Sequence, residues 1–439
     1  MALGYEELSE RARPTLETEL PGPQARAVLE RDARFTSPSL PRAYELVPAR
    51  GAGAVIEDVD GNVFLDFNAG IAVCSTGHAH PEVVAAIQRQ SEELLHYSAS
   101  DFFLPIYSET CARLDEIAPF AEPSRSFLTN SGTEAVEAAI KLARSVTGRQ
   151  YVIGFFGSFH GRSYGSVTLT ASSATYKAGF GPMLPGVVHA PYADRLVDYT
   201  DLDHPETPDF IEQVLFKRTV PSEEVAAIVV EPVLGEGGYV VPPAQWIGNL
   251  RRICDTYGIL LIADEVQSGM GRTGKMWAIE HFGVRPDIVA AGKGIASGLP
   301  LGAMIARADL MTWSKGAHGS TYGGNPLSCA AALVTLELIE KELIGNATEM
   351  GALLLKGVRS LVDSHEAIVD ARGLGLMIGV EFTTPELAAA VEHSCFHKGL
   401  LVLGCGDKAV RMSPPLTIGR EQVESGLEIF AAAVAEASA

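Results

Sequence analysis

Residues 259–269 read ILLIADEVQSG, an apolar run closed by two acids. Such a run is a strand buried in a sheet, and Asp264 then emerges at its carboxyl end, where open α/β sheets bind ligands. The surrounding chain repeats the theme. YVIGFF (151–156), AAIVVEPV (226–233) and DIVAAG (287–292) are further short apolar runs, separated by amphipathic stretches such as EAVEAAIKLARS (134–145) and AQWIGNLRRICDTYG (244–258). This is the rhythm of βα units, and it predicts a parallel, buried sheet.

Further out the pattern changes. AVIEDVDGNVFLDF (54–67) alternates apolar and polar residues about an Asp60-Gly61 turn and predicts a hairpin, preceded up to about Pro48 by a mobile tail and a short helix. In GHAHPEVVAAIQRQ (77–90), His80 reads as a helix N-cap with Pro81 at the first helical position, which accounts for the histidines better than a metal site does. After TYGGNPLSCAAA (321–332) come a helix through about Glu342, LLLKGVRSLV, a strand GLGLMIGVEF (373–382), another helix, a strand LVLGC (401–405) and a last helix. The reading divides the chain into a tail and hairpin segment at 1–70, a large α/β domain at 71–335 and a small α+β domain at 336–439. DRLVDYTDLDHPETPDF (194–210) is the most loop-like interior stretch.

Composition narrows the function. The chain has 439 residues, 47% of them hydrophobic, and a formal net charge of -20, so neither nucleic acid nor an anionic membrane is an expected partner. Six cysteines without a C-x-x-C pair fit reduced thiols, and no metal or disulfide framework is implied. The opening MALGYEELSERARPTLETELPGP lacks the basic and apolar regions of a leader, and no run approaches membrane-spanning length, so a soluble cytoplasmic protein is expected. Two glycine-rich segments are decoys. In GMGRTGK (269–275) Met276 replaces the hydroxyl a phosphate loop needs, and the Gly373-Leu374-Gly375 run has Ile378 where a dinucleotide fingerprint needs its third glycine.

Three segments carry chemistry together. Asp264 closes one apolar run, Lys293 stands between Gly292 and Gly294 after a second, where small neighbours leave room for a bulky adduct, and Asn130-Ser131-Gly132-Thr133-Glu134 opens an amphipathic helix with backbone N–H groups and hydroxyls. A phosphate cradle, a carboxylate and an amine at strand ends are what pyridoxal phosphate (PLP) chemistry requires. Lys293 would carry the cofactor as a Schiff base, and desolvation near cations would keep its amine neutral enough to attack.

At these residues the sequence resembles the class III, ω-type aminotransferases of PLP fold type I, from about Ser37 to the C-terminus. NSGTEAVEAAIKLAR, FHGRS, EPVLGEGG, LLIADEVQSGMGRTG, GKG, TYGGNPLSCAAA, RGLGLMIG and VRMSPPLTI occur in the family's order. The resemblance implies a mostly parallel seven-stranded sheet between helices, with a smaller α+β domain built from the N- and C-terminal segments. It implies that Gly132 and Thr133 hold the phosphate, Phe159 stacks on the ring, Asp264 pairs with the ring nitrogen, Val266 backs the ring and Gln267 lies near the phenolic oxygen. Thr321 would reach the phosphate of a neighbouring subunit, which makes a homodimer with a composite site, and a tetramer of two dimers is open. Arg411 would bind an α-carboxylate, Glu236 would mask it when an ω-amino substrate is present, and Arg162 would take the far carboxylate.

The implied activity is transfer of an amino group from an ω-amino acid to 2-oxoglutarate by a ping-pong route. Ile71 stands where ornithine aminotransferases carry tyrosine, which disfavours ornithine and fits 4-aminobutyrate first and acetylornithine next, whereas Phe159 leans toward acetylornithine. Leu234 departs from the family's usual glutamine. An amino-acid racemase or epimerase of the same fold is the alternative. SPSLPRAYELVP (37–48) resembles that subgroup, and Glu236 speaks against it where racemising relatives favour aspartate.

Overall fold

The computed structural model describes residues 4–193 and 210–439, so the loop-like stretch at 194–209 lies outside the described residues. Strands β1 (Pro48–Ala52), β2 (Val55–Asp58) and β3 (Val63–Asp66) form an antiparallel meander. The β2–β3 hairpin turns at Asp60-Gly61 as the alternation predicts, with Gly61 at φ +87. Ahead of it the chain is more ordered than a tail with one short helix, because helices cover both Tyr5–Ser9 and Pro23–Phe35. The second is anchored by Asp60, whose carboxylate accepts the N–H groups of Gln24 and Ala25 at 2.8 Å.

The central sheet has seven strands: β4 (Ser124–Thr129), β5 (Tyr151–Phe155), β6 (Val187–Ala190), β7 (Val225–Val230), β8 (Leu260–Asp264), β9 (Ile288–Ala291) and β10 (Gly302–Arg307). Their order is β4-β10-β9-β8-β7-β5-β6, and only β10 runs against its neighbours. Every residue of β7, β8 and β9 is buried, because helices cover both faces of this sheet. The mostly parallel seven-stranded sheet is therefore present.

The smaller α+β part joins the two ends of the chain. Strands β11 (Ile368–Leu374), β12 (Met377–Phe382), β14 (Leu403–Cys405) and β15 (Ala409–Met412) make an antiparallel sheet, and β13 (Leu400–Leu401) pairs with β3 of the N-terminal meander. Two expected strands are thereby corrected. GLGLMIGVEF is a hairpin and not one strand, since Gly375 at φ +53 turns the chain between β11 and β12. LVLGC is split, with Leu401 in one sheet and residues 403–405 in the other.

The helix expected to end near Glu342 instead continues. Pro326–Leu338 passes through a π-helical turn at Ile339–Leu343 into Ile344–Val362, packing first on the helices Pro81–Glu93 and Pro105–Ile117 and then on β11 and the C-terminal helix Arg420–Ala437. His80 does occupy the N-cap of Pro81–Glu93, but its side chain makes no capping bond. His78 donates its Nε2 proton to Oδ2 of Asp66 at 2.6 Å. The two glycine-rich decoys pack on each other: a Cβ on Gly375 would lie 2.4 Å from the Thr273 carbonyl carbon, and buried Arg272 donates to the carbonyls of Leu376 and Pro414.

Candidate cofactor and substrate site

Because β4, β5, β7, β8 and β9 run in one direction, the segments that follow them meet at one edge of the sheet. That edge collects Asn130–Thr133 after β4, Phe159 and His160 after β5, Glu231 after β7, Asp264 at the end of β8 and Lys293 just past β9. The residues predicted from three separate stretches are thus neighbours.

Asp264 is buried and its Oδ2 lies 2.6 Å from Nδ1 of His160, while its Oδ1 accepts the Val266 N–H at 3.1 Å. Burial alone would lower the His160 pKa, but the hydrogen bond and charge of Asp264 overcome it and leave the imidazole raised. His160 therefore keeps its Nδ1 proton on Asp264 and holds that carboxylate oriented. A second buried acid, Glu231, accepts the N–H groups of Phe159 at 2.9 Å and Gly235 at 3.1 Å, and burial pushes its carboxyl up. It fixes the backbone on both sides of the site.

The Lys293 pKa is lowered to about 8, first by burial and then by the positive charge of Arg411. A neutral amine is thus available near pH 8. Lys293 also sits at φ +45, a left-handed backbone that non-glycine residues rarely adopt. The flanking glycines serve a different purpose from clearance for an adduct. A Cβ on Gly292 would meet the Gly132 backbone at 3.2 Å and one on Gly294 would meet the Ser75 hydroxyl at 2.4 Å, so both allow close approach of other segments.

At the start of helix Gly132–Thr147, Ser131 is the N-cap, and the Gly132 and Thr133 N–H groups have no acceptor among the described residues. They form an open anion cradle, with the helix dipole behind it. The Thr133 hydroxyl, by contrast, is 2.8 Å from that of Ser163 and 2.5 Å from that of Ser166. Glu137 anchors this cluster by accepting from the Ser163 hydroxyl at 2.5 Å and from the N–H groups of Gly165 and Ser166 at 2.8 and 3.1 Å. What Thr133 leaves open to an anion is therefore its backbone N–H and not its hydroxyl. Glu134 also folds back on the N–H and side-chain amide of Asn130, so the motif is capped as well as open. A Cβ on Gly132 would lie 2.5 Å from Cγ1 of Val266. Gly132→Ala is expected to cost about 1–3 kcal/mol and to weaken cofactor retention, measured by thermal melting and by equilibrium dialysis of the loaded protein.

The remaining residues expected at the site differ in exposure. Arg411, on β15, is buried and its Nη1 donates at 2.8 Å to Oε2 of Glu236. Arg162 is exposed and sits 3.9 Å over the ring of Tyr176 and 5.8 Å from that of Phe159. Gln267 accepts at 2.8 Å from the hydroxyl of buried Tyr239. Ile71 is 41% exposed within a left-handed turn, with Ala69, Gly70, Ile71 and Ala72 all at φ between +49 and +68. Thr321 is exposed.

Sequence reasoning missed His160, Glu231, Tyr176 and the Ser163–Ser166–Glu137 cluster. His160 and Ser163 lie inside the FHGRS motif and Glu231 opens EPVLGEGG, so only the motif boundaries hinted at them. Among the described residues no group of three or more His, Cys, Asp or Glu side chains could hold a metal ion, and no helix is long and apolar enough to cross a membrane.

An anion cradle, a buried carboxylate hydrogen-bonded by an imidazole and a lysine with a depressed pKa fit the phosphate, the ring nitrogen and the aldehyde of PLP respectively. Comparison with known proteins agrees with this chemistry. The family model described as Aminotransferase class-III matches residues 39–434. An alanine/serine racemase of Pyrococcus horikoshii is 37% identical over 96% of this chain and 92% of its own length. A 4-aminobutyrate aminotransferase of Mycobacterium tuberculosis is 38% identical over 96% of this chain and 98% of its own. The structure of a PLP-bound amine transaminase from an uncultivated Pseudomonas species superposes with a TM-score of 0.83, at 32% identity over 92% of this chain and 97% of that one.

Proposed function

The chain belongs to the class III aminotransferases, enzymes that use PLP, and from that premise we propose that it moves the amino group of an ω-amino acid to 2-oxoglutarate by a ping-pong route. 4-Aminobutyrate is the first candidate donor and N-acetylornithine the next. PLP, when bound, supplies an electron sink for the carbon that bears the amine and a carrier for the amino group. The Asp264 carboxylate, oriented by His160, supplies the negative charge that favours a protonated ring nitrogen. Gly132 and Thr133 hold the phosphate through their N–H groups. The Lys293 amine, with its depressed pKa, is suited both to hold the aldehyde and, once released, to carry a proton at the reacting carbon.

The observation that carries the donor class is the closed ion pair between Glu236 and Arg411. With its α-carboxylate clamp neutralised, the site favours a substrate that has no carboxylate beside the amine. Arg162 remains at the mouth to take the distal one. A dicarboxylic acceptor needs Glu236 to swing away, which matches the two alternating half-reactions.

We also propose a homodimer in which Thr321 of one subunit completes the phosphate site of the other. Thr321 lies beside Tyr322, 63% exposed, and Ser320 is tied through the Ser100 hydroxyl at 2.8 Å to the segment that carries fully exposed Phe103. Apolar side chains displayed in this way suit burial against a second copy.

A racemase is the second reading, favoured by the identity to the Pyrococcus horikoshii enzyme, which nearly equals that to the 4-aminobutyrate aminotransferase. Single-turnover absorbance with 4-aminobutyrate, N-acetylornithine and L-leucine separates the two. Lasting bleaching reversed by 2-oxoglutarate is expected from an ω-amino donor. Loss of optical activity from L-leucine without lasting bleaching by any donor would give the protein to the racemases.

A further inference from the structure

Tyr176 closes a one-turn 3-10 helix, Ala174–Tyr176, and stands between the two arginines of the substrate site. Its hydroxyl is 3.3 Å from Oε1 of Glu236, whose other oxygen, Oε2, takes Arg411 at 2.8 Å. Its ring lies 3.9 Å beneath the Arg162 guanidinium and meets the Phe159 ring edge-on at 5.6 Å. One side chain thus touches the gate on Arg411, the cation at the mouth and the aromatic residue expected to stack on the cofactor. The phenol is held above its ordinary pKa by burial and by the Glu236 carboxylate, so it is a protonated donor at neutral pH.

We propose that Tyr176 is a specificity-determining positioning residue: its hydroxyl holds Glu236 closed over Arg411 while its ring carries Arg162, so that it sets the preference between substrates with one carboxylate and substrates with two. Glu236 has two partners in the closed state and would lose both on opening. The Tyr176 bond therefore opposes entry of an α-carboxylate without touching that carboxylate. A one-carboxylate substrate needs only Arg162 and leaves the gate shut. The Gly406 N–H donates to the Glu236 carbonyl at 2.6 Å, which pins the backbone and leaves the side chain as the moving part.

The inference rests on the aminotransferase reading only for the identity of the physiological substrates, so its test uses carboxylates that do not react. The PLP-loaded protein is titrated calorimetrically with glutarate, which needs both arginines, and with butyrate, which needs one. Tyr176→Phe keeps the ring under Arg162 and removes the bond to Glu236. It should tighten glutarate relative to butyrate by about threefold to tenfold, the range of one hydrogen bond. In a Glu236→Ala background, which removes the acceptor, the same change should leave the ratio unaltered, because the effect passes through that side chain. Turnover should show a lowered KM for 2-oxoglutarate with little change in kcat. A ratio that moves by less than about twofold, glutarate that binds neither protein, or an equal effect with and without Glu236 overturns the proposal. If the ratio shifts as expected but neither 4-aminobutyrate nor 2-oxoglutarate reacts, Tyr176 keeps its role and the substrate reading fails.

Discussion

Lys293→Ala is expected to abolish the borohydride-reducible link to the cofactor and to lower turnover by about 10²- to 10⁴-fold, the range spanned by loss of a positioned acid–base group. Among the described residues the lysines in or beside the site's motifs are engaged elsewhere: Lys141 with His318, Lys275 with the Glu280 carbonyl and Lys177 with the Thr168 carbonyl. The same variant has a stability signature. The lysine pKa is depressed in the folded state from 10.5 to about 8, so between those values the unfolded chain binds the extra proton and stability of the cofactor-free protein rises with pH. Below that window the cost is fully present, about 3 kcal/mol at most. Cofactor-free Lys293→Ala should therefore melt higher than the parent at pH 7, and the difference should shrink as pH approaches 10. A variant that retained full turnover and a reducible link would remove Lys293 from the chemistry.

Asp264→Asn is expected to lower kcat by about 10²- to 10³-fold while leaving the fold intact, since the amide matches the carboxylate in shape. The loss comes from charge. Asp264 is the acid beside which His160 keeps its proton: against burial, its hydrogen bond and charge raise the imidazole, with a smaller contribution from the Glu231 carboxylate. With asparagine in place the imidazole loses its hydrogen-bonded anion and its pKa falls toward what burial dictates, and a ring nitrogen held there would lose its negative partner. Half-reaction kinetics with 4-aminobutyrate, alongside thermal melting to verify folding, would measure this. Rates within about threefold of the parent would mean that charge at Asp264 is not what the reaction uses.

The part of the site that could be read from sequence consists of residues whose chemistry is advertised locally. Asp264 and Lys293 terminate apolar runs, and Gly132 opens an amphipathic helix. Each of those signals is complete within about ten residues of chain. The remainder depends on strand order. Glu231 reaches the Phe159 backbone because β7 lies next to β5, and His160 reaches Asp264 across the sheet edge, from one strand end to another 104 residues away. Nothing in the runs themselves states which strands are neighbours. The glycines around Lys293 mislead for a related reason: their value lies in what packs on them, Gly132 and Ser75, which are distant in sequence. Likewise the second hairpin, β11–β12, is hidden inside a continuous apolar string because its turn uses Gly375 and buried Leu376 in place of polar turn residues.

The π-helical turn at Ile339–Leu343 matters to how this chain can change length. Buried Ala332, Leu336, Ile339, Leu343, Ala347, Met350, Leu354 and Val358 form one stripe along the helix. In a regular α-helix that spacing would wind about 80° past whole turns, and the one extra residue in the π turn cancels most of the drift. A deletion elsewhere in the helix rotates everything beyond it by about 100° and turns an apolar face to water. A deletion inside 339–343 closes the wide turn to an ordinary one and leaves both ends in phase. The helix thus contains its own slack, the one stretch of it where the loss of a single residue is absorbed without separating the two cores it serves.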